Sequence, residues 1–570
     1  MTRSQVFCAR RWLIVLSGML SSTLVCAVEL TPQFTTATTG DLLTWTITAA
    51  PEAWRTTDVA HTPQLKITDP AGHNMYRPAF AVADGVWVRH VPRTVGRHTW
   101  KLLDPQGATV ADGQFTVDRG TNPQGPIGVS SRNHRYLGWA NGTSFVPIGP
   151  NVCWIEGDPL AGYEAAFAKM AAVGCNHTRV WMCSWSLGIV NSPGKDLRFD
   201  RALQIDGVLA AGRRHGVRVT LVLDNHTDII SGKPALFEGS IEERQAAYFS
   251  DPPSVEWIRY LRYCLARWSA DDALLAFELV NEADLAQPIR ERSVPWVSAA
   301  ADLLQRFDQD RRLHTISWCG GDWERVLANP AIDFIQLHHY VLDFLEESES
   351  IRAPTRDGVG MLLTPSARAN NFGRPWLLAE SGFQGTNADN PGNDLDTDGL
   401  LLRQQLWAGF LLGGCGGAMN WWWDVYLDPH KLWKVYPPFA TIIARLDLTD
   451  PELAAIMPNE SGPVRMMGVA SARQALLWPQ VRTDTWHRLL VENKPRIGLG
   501  IDQPIRLGGF VANRSYTLTP LDPRTAVAEI GQTLVADADG RLSFVLQAHT
   551  VEVLWHVALV PAVPLTPAVP

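Results

Sequence analysis

Positive charge is in short supply. The chain carries 50 lysines and arginines against 58 acidic residues, a net charge of −8. Phosphate binding needs clustered Lys and Arg, so a nucleic-acid partner is not expected. Cysteine is scarce as well, with eight in 570 residues. The absence of any CxxC pair excludes an ordinary structural zinc site. Also missing is an apolar run long enough to cross a bilayer: the best candidate, Trp12 to Val25, falls short of the roughly 20 residues a spanning helix needs. The first strand-to-helix turn, Gly149-Pro150-Asn151, lacks the glycine fingerprint of a dinucleotide site.

What the N-terminus does have is the layout of an export signal. Arg3, Arg10 and Arg11 precede the uncharged stretch Trp12 to Val25, and Val25-Cys26-Ala27 offers a cleavage point, so residues 1–27 read as a signal peptide and the protein as secreted or periplasmic. A membrane anchor is the rival reading. Lipid attachment at Cys26 is disfavoured by Val25, where a small residue belongs. Loss of the three arginines takes the net charge to −11. The six remaining cysteines, at 153, 175, 183, 264, 319 and 415, fix no pairing by their spacing.

About 540 residues exceed one compact core, and three units fit the pattern. Residues 28–122 alternate as short strands (Leu42 to Ile47, Gln64 to Ile67, Gly85 to Val91, His98 to Leu103 and Gln114 to Val117) with turns such as Asp69-Pro70-Ala71-Gly72 between them. This is the spacing of a β-sandwich. Asn122-Pro123-Gln124-Gly125-Pro126 reads as a linker. Residues 127–450 then alternate apolar strands with amphipathic helices, which predicts a parallel sheet. Eight strands are expected: Ser144 to Ile148, Asn176 to Trp181, Arg218 to Leu223, Leu274 to Val280, His314 to Trp318, Phe334 to Leu337, Trp376 to Ala379 and Ala418 to Asn420. The expected fold class is thus α/β, a (β/α)8 TIM barrel flanked by β-sandwich domains. Residues 455–560 return to short strands, including Gln474 to Trp478, His487 to Val491, Ser515 to Leu518 and Leu542 to Leu546. The proline-rich tail 561–570 is expected to be disordered.

In such a barrel the chemistry sits where strands end at the C-terminal rim. Leu274 to Val280 runs into Asn281-Glu282, and Trp376 to Ala379 runs into Glu380. Two carboxyl groups facing each other across the mouth are what cleavage of a glycosidic bond requires: one protonates the leaving oxygen while the other attacks or stabilises the anomeric carbon. Asn-Glu alone can also cap a helix after any strand. Many of the 23 tryptophans follow barrel strands, among them Trp154, Trp181, Trp185 and Trp421 to Trp423. Aromatic rings suit the apolar faces of sugars, although core packing remains the default reading of any single one.

Over residues 140–445 these strand ends resemble clan A of the glycoside hydrolases, which includes the cellulase-like family 5. The resemblance implies Glu282 as acid/base, Glu380 as nucleophile and Asn281 as a ligand of the sugar hydroxyl beside the anomeric carbon. It further implies Arg179 as support for the nucleophile, His226 and His338 with Tyr340 as contacts of the catalytic pair, and Trp422 as the sugar platform, with Trp181 nearby. His226 reads equally as a structural histidine, and which of the three consecutive tryptophans forms the platform stays open. Strand alternation puts His338, rather than His339, on the side of Tyr340. An Ig-like domain of unknown role before the barrel and a small β-sandwich behind it are similar to a recurring arrangement in this group; here the two domains either bind glycan or brace the barrel, and bracing is expected. Arg179 is expected to lower the pKa of Glu380, and a neighbouring carboxylate to raise that of Glu282.

Asn393 to Gly399 resembles the start of a calcium loop, but Gln405 stands where a bidentate Glu belongs. A helix start at Asp398 is the better reading. Neither a metal nor a cofactor is expected. The expected partner is carbohydrate, and the expected reaction is retaining hydrolysis of a β-linked oligo- or polysaccharide. The rivals are a carbohydrate-binding protein with an inactive barrel, and a transglycosylase on the same scaffold.

Overall fold

The computed structural model describes residues 29–561 apart from 33, 122–123, 191–196, 233–235, 287–289, 322, 346–347, 459–461, 499–501 and 547–551. The expected signal peptide, part of the linker and most of the tail lie outside the described residues.

The N-terminal region forms two sheets. One orders Glu29–Pro32, Leu43–Thr48, Gly85–His90 and Phe80–Val82; the other orders Thr36–Thr38, Thr109–Asp118, Gly96–Leu103, Gln64–Thr68 and Asn74–Pro78. Alternate residues of both, Trp45, Ile47, Leu65, Ile67, Trp100, Leu102 and Phe115, fill one shared core. A second contact ties these sheets to the helical outer layer of the central region, at a helix residue, Asp206, and at a turn residue, Asp310. Arg77 donates two hydrogen bonds to Asp310 (2.8 and 2.7 Å), and Arg89 donates two to Asp206 (both 2.8 Å). Bidentate pairs of this kind fix geometry as well as charge.

At the centre lie six parallel strands in sequence order, numbered two to seven after the eight expected positions: His177–Trp181, Arg218–Asn225, Leu274–Asn281, Leu313–Trp318, Phe334–Val341 and Trp376–Phe383. Nearly every residue in them is buried, as helices on the outer face and packed side chains inside require. The helices follow the sequence cues. In Pro159–Ala172 the buried face is Tyr163, Phe167 and Met170, and the Asp158 carboxylate caps the start by accepting from the Leu160 and Ala161 amides. Phe199–His215 ends on left-handed Gly216 (φ 71°).

The ring closes into a barrel through two irregular segments. Residues 146–153 join strand two, with the Asn176 and His177 amides donating to Ile148 O and the Trp181 amide to Cys153 O. Residues 417–421 join strand seven on one side (Met419 N to Leu378 O, Trp421 N to Ser381 O) and the first segment on the other (Gly417 N to Pro147 O, Asn151 N to Asn420 O). The expected first strand is therefore corrected: Ser144–Phe145 pairs antiparallel with Leu137–Trp139 in a small separate sheet, and the stretch behind it lacks a regular ladder. Pro147 and Pro150 have no N–H to give. Gly149 at φ 157° passes so close to strand two that a Cβ would lie 2.1 Å from His177 O.

The C-terminal region carries a six-stranded antiparallel sheet, ordered Ala454–Ile456, Val464–Ala470, Gln474–Val481, Leu554–Leu559, Ser515–Leu521 and Gln532–Val535, beside the pair Gln503–Leu507 and Leu542–Leu546. One expected strand is wrong. His487–Val491 is a wide helical turn closed by Glu492 N on His487 O. Trp486 explains it: fully buried against Phe383 (4.9 Å between centroids) and Phe344, it pulls the chain onto the barrel rim. The helix expected to start at Asp398 begins instead at Leu400 after left-handed Gly399. Asp396 supplies its cap, accepting from the Leu400 and Leu401 amides and from the Tyr426 hydroxyl. All six cysteines in the described residues are thiols.

Candidate active site

Arg179 lies inside the barrel, fully buried, and all five of its N–H groups are used. Nε and Nη2 donate to the Glu278 carboxylate (2.9 and 2.8 Å), Nη2 also to Asn281 Oδ1, and Nη1 to Glu380 Oε1 (2.5 Å) and Asn151 Oδ1 (3.2 Å). Five donors meeting five acceptors leave the guanidinium one orientation. Strand four then ends on an unusual backbone. Glu282 is left-handed (φ 51°, ψ 54°), with its amide held by Ser317 Oγ at 2.8 Å. That conformation costs roughly 1–2 kcal/mol for a residue with a side chain, and it interrupts strand alternation so that adjacent Asn281 and Glu282 both reach His226. Asn281 Nδ2 is 3.2 Å and Glu282 Oε2 3.3 Å from His226 Nδ1.

On strand six the alternation reading holds despite a register shift between Leu337 and His338. His338 Nδ1 stands 2.8 Å from Glu282 Oε1 and 3.3 Å from Glu380 Oε2, and Tyr340 donates its hydroxyl to Glu380 Oε2 at 2.7 Å. One carboxyl oxygen each of Glu282 and Glu380 and a ring nitrogen of His338 all lie within 4.8 Å of one another. The structure thus brings together seven of the nine sequence-predicted residues: Asn281, Glu282, Glu380, Arg179, His226, His338 and Tyr340.

Trp181 and Trp422 belong to the wall of the same cleft, a cavity of about 750 Å³. Trp154, Trp181 and Trp421 pack ring to ring at 5.4–5.6 Å, and half-exposed Trp185 stands edge-on to Trp154. Trp422 is pinned over strand seven by its indole N–H on Phe383 O (2.7 Å). Trp421 and Trp422 line the cleft, whereas Trp423 faces a small neighbouring recess. The charged side chains lining the cleft are Glu282 and Glu380, with no lysine or arginine among the lining residues described.

Burial dominates the electrostatics. It pushes the carboxyl groups of both Glu282 and Glu380 above their ordinary value; His226 and Arg179 oppose it at Glu282, and His338, Arg179 and the Tyr340 hydroxyl oppose it at Glu380. Arg179 does act to lower Glu380, but burial outweighs it, so the expected net lowering is corrected to a net rise. Burial drives His338 down to about 3 and His339 to about 4, so both imidazoles are neutral at pH 7.

The sequence reading passed over Glu278, Asn151, Gln336 and Ser317. Gln336 Nε2 donates to Glu278 (2.7 Å), and Asn151 Nδ2 to Ala379 O (2.7 Å), just before Glu380. One signal was available, since an acid in the middle of the apolar strand Leu274–Asn281 must have a buried partner.

No family model matches the chain. It is 25% identical to mannan endo-1,4-beta-mannosidase 3 of Oryza sativa subsp. japonica, over 50% of this chain and 72% of that protein. It is 21% identical to mannan endo-1,4-beta-mannosidase F of Aspergillus fumigatus, over 32% of this chain and 45% of that protein. Among solved structures, a Bacteroides vulgatus protein assigned as a glycoside hydrolase superposes with a TM-score of 0.61 at 13% identity, covering 92% of this chain and 100% of that one. A family 5 glycoside hydrolase from the same species gives 0.51 at 12% identity, covering 76% and 93%. At such identities the structural likeness speaks for the fold alone. With the relatives in sequence, it defines the chain as a glycoside hydrolase. Within that class, the relatives matched in sequence carry a mannan endo-1,4-beta-mannosidase name.

Proposed function

We propose that this enzyme belongs to family 5 and hydrolyses an uncharged β-1,4-linked polysaccharide of the mannan type with retention, Glu380 acting as nucleophile and Glu282 as acid/base. The carboxylate spacing carries the reading. Oxygens of the two groups lie within 4.8 Å, near the ~5 Å of retaining enzymes and well short of the roughly 6.5–9.5 Å that leaves room for a water in inverting ones.

Partners divide the two roles. Glu380 accepts hydrogen bonds from a guanidinium and a phenol, whereas the side chains beside Glu282 are the imidazoles of His226 and His338, so the ionised role is assigned to Glu380. Glu282 keeps its proton and delivers it to the departing glycosidic oxygen while a Glu380 oxygen bonds to the anomeric carbon. With Glu380 esterified, Glu282 is an anion. It removes a proton from water, whose oxygen attacks the anomeric carbon and releases Glu380 as carboxylate. Asn281, fixed by Arg179 and Ser317, is placed to meet the hydroxyl next to the reacting carbon. The tryptophan wall supplies stacking surface, and a cleft lined by no cation favours a sugar without acidic groups. Trp422 is the platform in this reading.

The domain reading goes with it: an N-terminal Ig-like sandwich and a C-terminal β-sandwich that brace the barrel of an exported protein. Among the described residues no helix is long and apolar enough to cross a membrane.

The test is turnover of β-1,4-mannan, cellulose and xylan by the purified protein, with product configuration followed by proton NMR. Retained configuration with wild type, and β-glycosyl turnover lost in Glu380→Ala, are expected. Inverted product, or full activity in Glu380→Ala, refutes the assignment.

A further inference from the structure

Glu278 is a charged group that the reaction does not touch. It is fully buried in the barrel interior, three residues before Asn281, and both its oxygens are bound by Arg179 (2.9 and 2.8 Å), with Gln336 donating a further bond to one of them at 2.7 Å. Removing a carboxylate from water without need is costly, and stability alone is a weak reason to keep one there. Its arrangement bears directly on the nucleophile. Arg179 has one N–H on Glu380 and two on Glu278. A guanidinium without Glu278 turns its full charge, and its freed donors, on Glu380. A carboxylate held by an uncompensated bidentate cation is a poor nucleophile and a stable leaving group.

We propose that Glu278 is a positioning residue that holds Arg179 in register and cancels its charge, so that Glu380 is oriented by the guanidinium without being deactivated by it. The inference rests on Glu380 as nucleophile. The other groups facing Glu380 are Tyr340 and His338 from strand six and Glu282 from strand four; the Cys153 thiol near Arg179 is kept neutral by burial, which pushes its pKa up. None of them takes the place of a second anion on Arg179.

The experiment is an infrared difference titration of the Glu380 carboxyl band, identified by its loss in Glu380→Gln, in wild type and in Glu278→Gln. It needs no substrate, so it decides on Glu278 even if the screen above finds no polysaccharide that is hydrolysed. Loss of the second anion is expected to lower the Glu380 midpoint by about 1 unit or more. On β-1,4-mannan, kcat is expected to fall on the order of 10²-fold with KM nearly unchanged. An unmoved midpoint in a folded Glu278→Gln overturns the proposal. Should that variant not fold, Glu278→Asp keeps the charge and shortens the reach: a wild-type midpoint with reduced kcat supports the proposal, and wild-type kinetics refute it.

Discussion

Replacing Arg179 by lysine keeps the charge and discards the fork. Lysine has three donors from one point where arginine uses five from a plane. At least two of the five acceptors on Glu278, Glu380, Asn281 and Asn151 lose their partner inside a dry core. At ~1.5–3 kcal/mol for a hydrogen bond involving a charged group, the loss is about 3–6 kcal/mol. A barrel of this size loses about 2–4 °C in Tm per kcal/mol, so calorimetry should find its transition lowered by about 6 °C or more. Activity should fall further than stability, since Asn281 and Glu380 lose their common anchor: kcat on β-1,4-mannan is expected to drop on the order of 10²-fold. A lysine variant within 2 °C and threefold of wild type would mean that the five-bond network does not exist in solution.

Three further outcomes follow from the same geometry. Tyr340→Phe removes one hydrogen bond to the Glu380 carboxylate, and kcat/KM should fall about 10-fold to 10²-fold without a change in fold by circular dichroism. Trp185, 43% exposed at the cleft edge, should contribute to holding long chains, so Trp185→Ala should raise KM for polymer more than for a disaccharide at unchanged kcat. Asp224 is buried beneath the Tyr248 hydroxyl, and burial raises its carboxyl from 3.8 to about 8. A carboxyl raised in the folded state keeps a proton that the unfolded chain releases, so it costs stability as pH climbs from about 4 to about 8. The Tm difference between Asp224→Asn and wild type should therefore shift in favour of the variant from pH 5 to pH 9 by calorimetry; a constant difference refutes the buried neutral acid.

Much of the site was legible because a barrel puts its functional groups where apolar strands stop. Glu282, Glu380, Arg179 and Tyr340 each end or interrupt such a run, and the resemblance gave them roles. Glu278 and Gln336 were not read, because a buried polar residue in mid-strand has no local pattern; it makes sense only once the strand opposite is known. A closed barrel was expected, but the irregular form of its first position escaped for a similar reason. Pro147, Gly149 and Pro150 forbid a regular first strand, yet the segment still fills that position through carbonyls that sequence periodicity does not register. The stretch His487–Val491 misled because its shape follows Trp486, whose partners lie more than a hundred residues earlier.

The clasp between Arg77, Arg89 and the acids Asp310 and Asp206 sets a rule for dissecting this protein. Asp206 and Asp310 are nearly enclosed, and the Arg89 and Arg77 charges help to hold both carboxyl groups below the usual range. Excising everything before the linker leaves two half-sheltered anions with fewer partners and bares the apolar helix surface around Phe80's neighbour Tyr263. The catalytic unit of this chain, as something to express, engineer or graft, therefore begins at its first sheets.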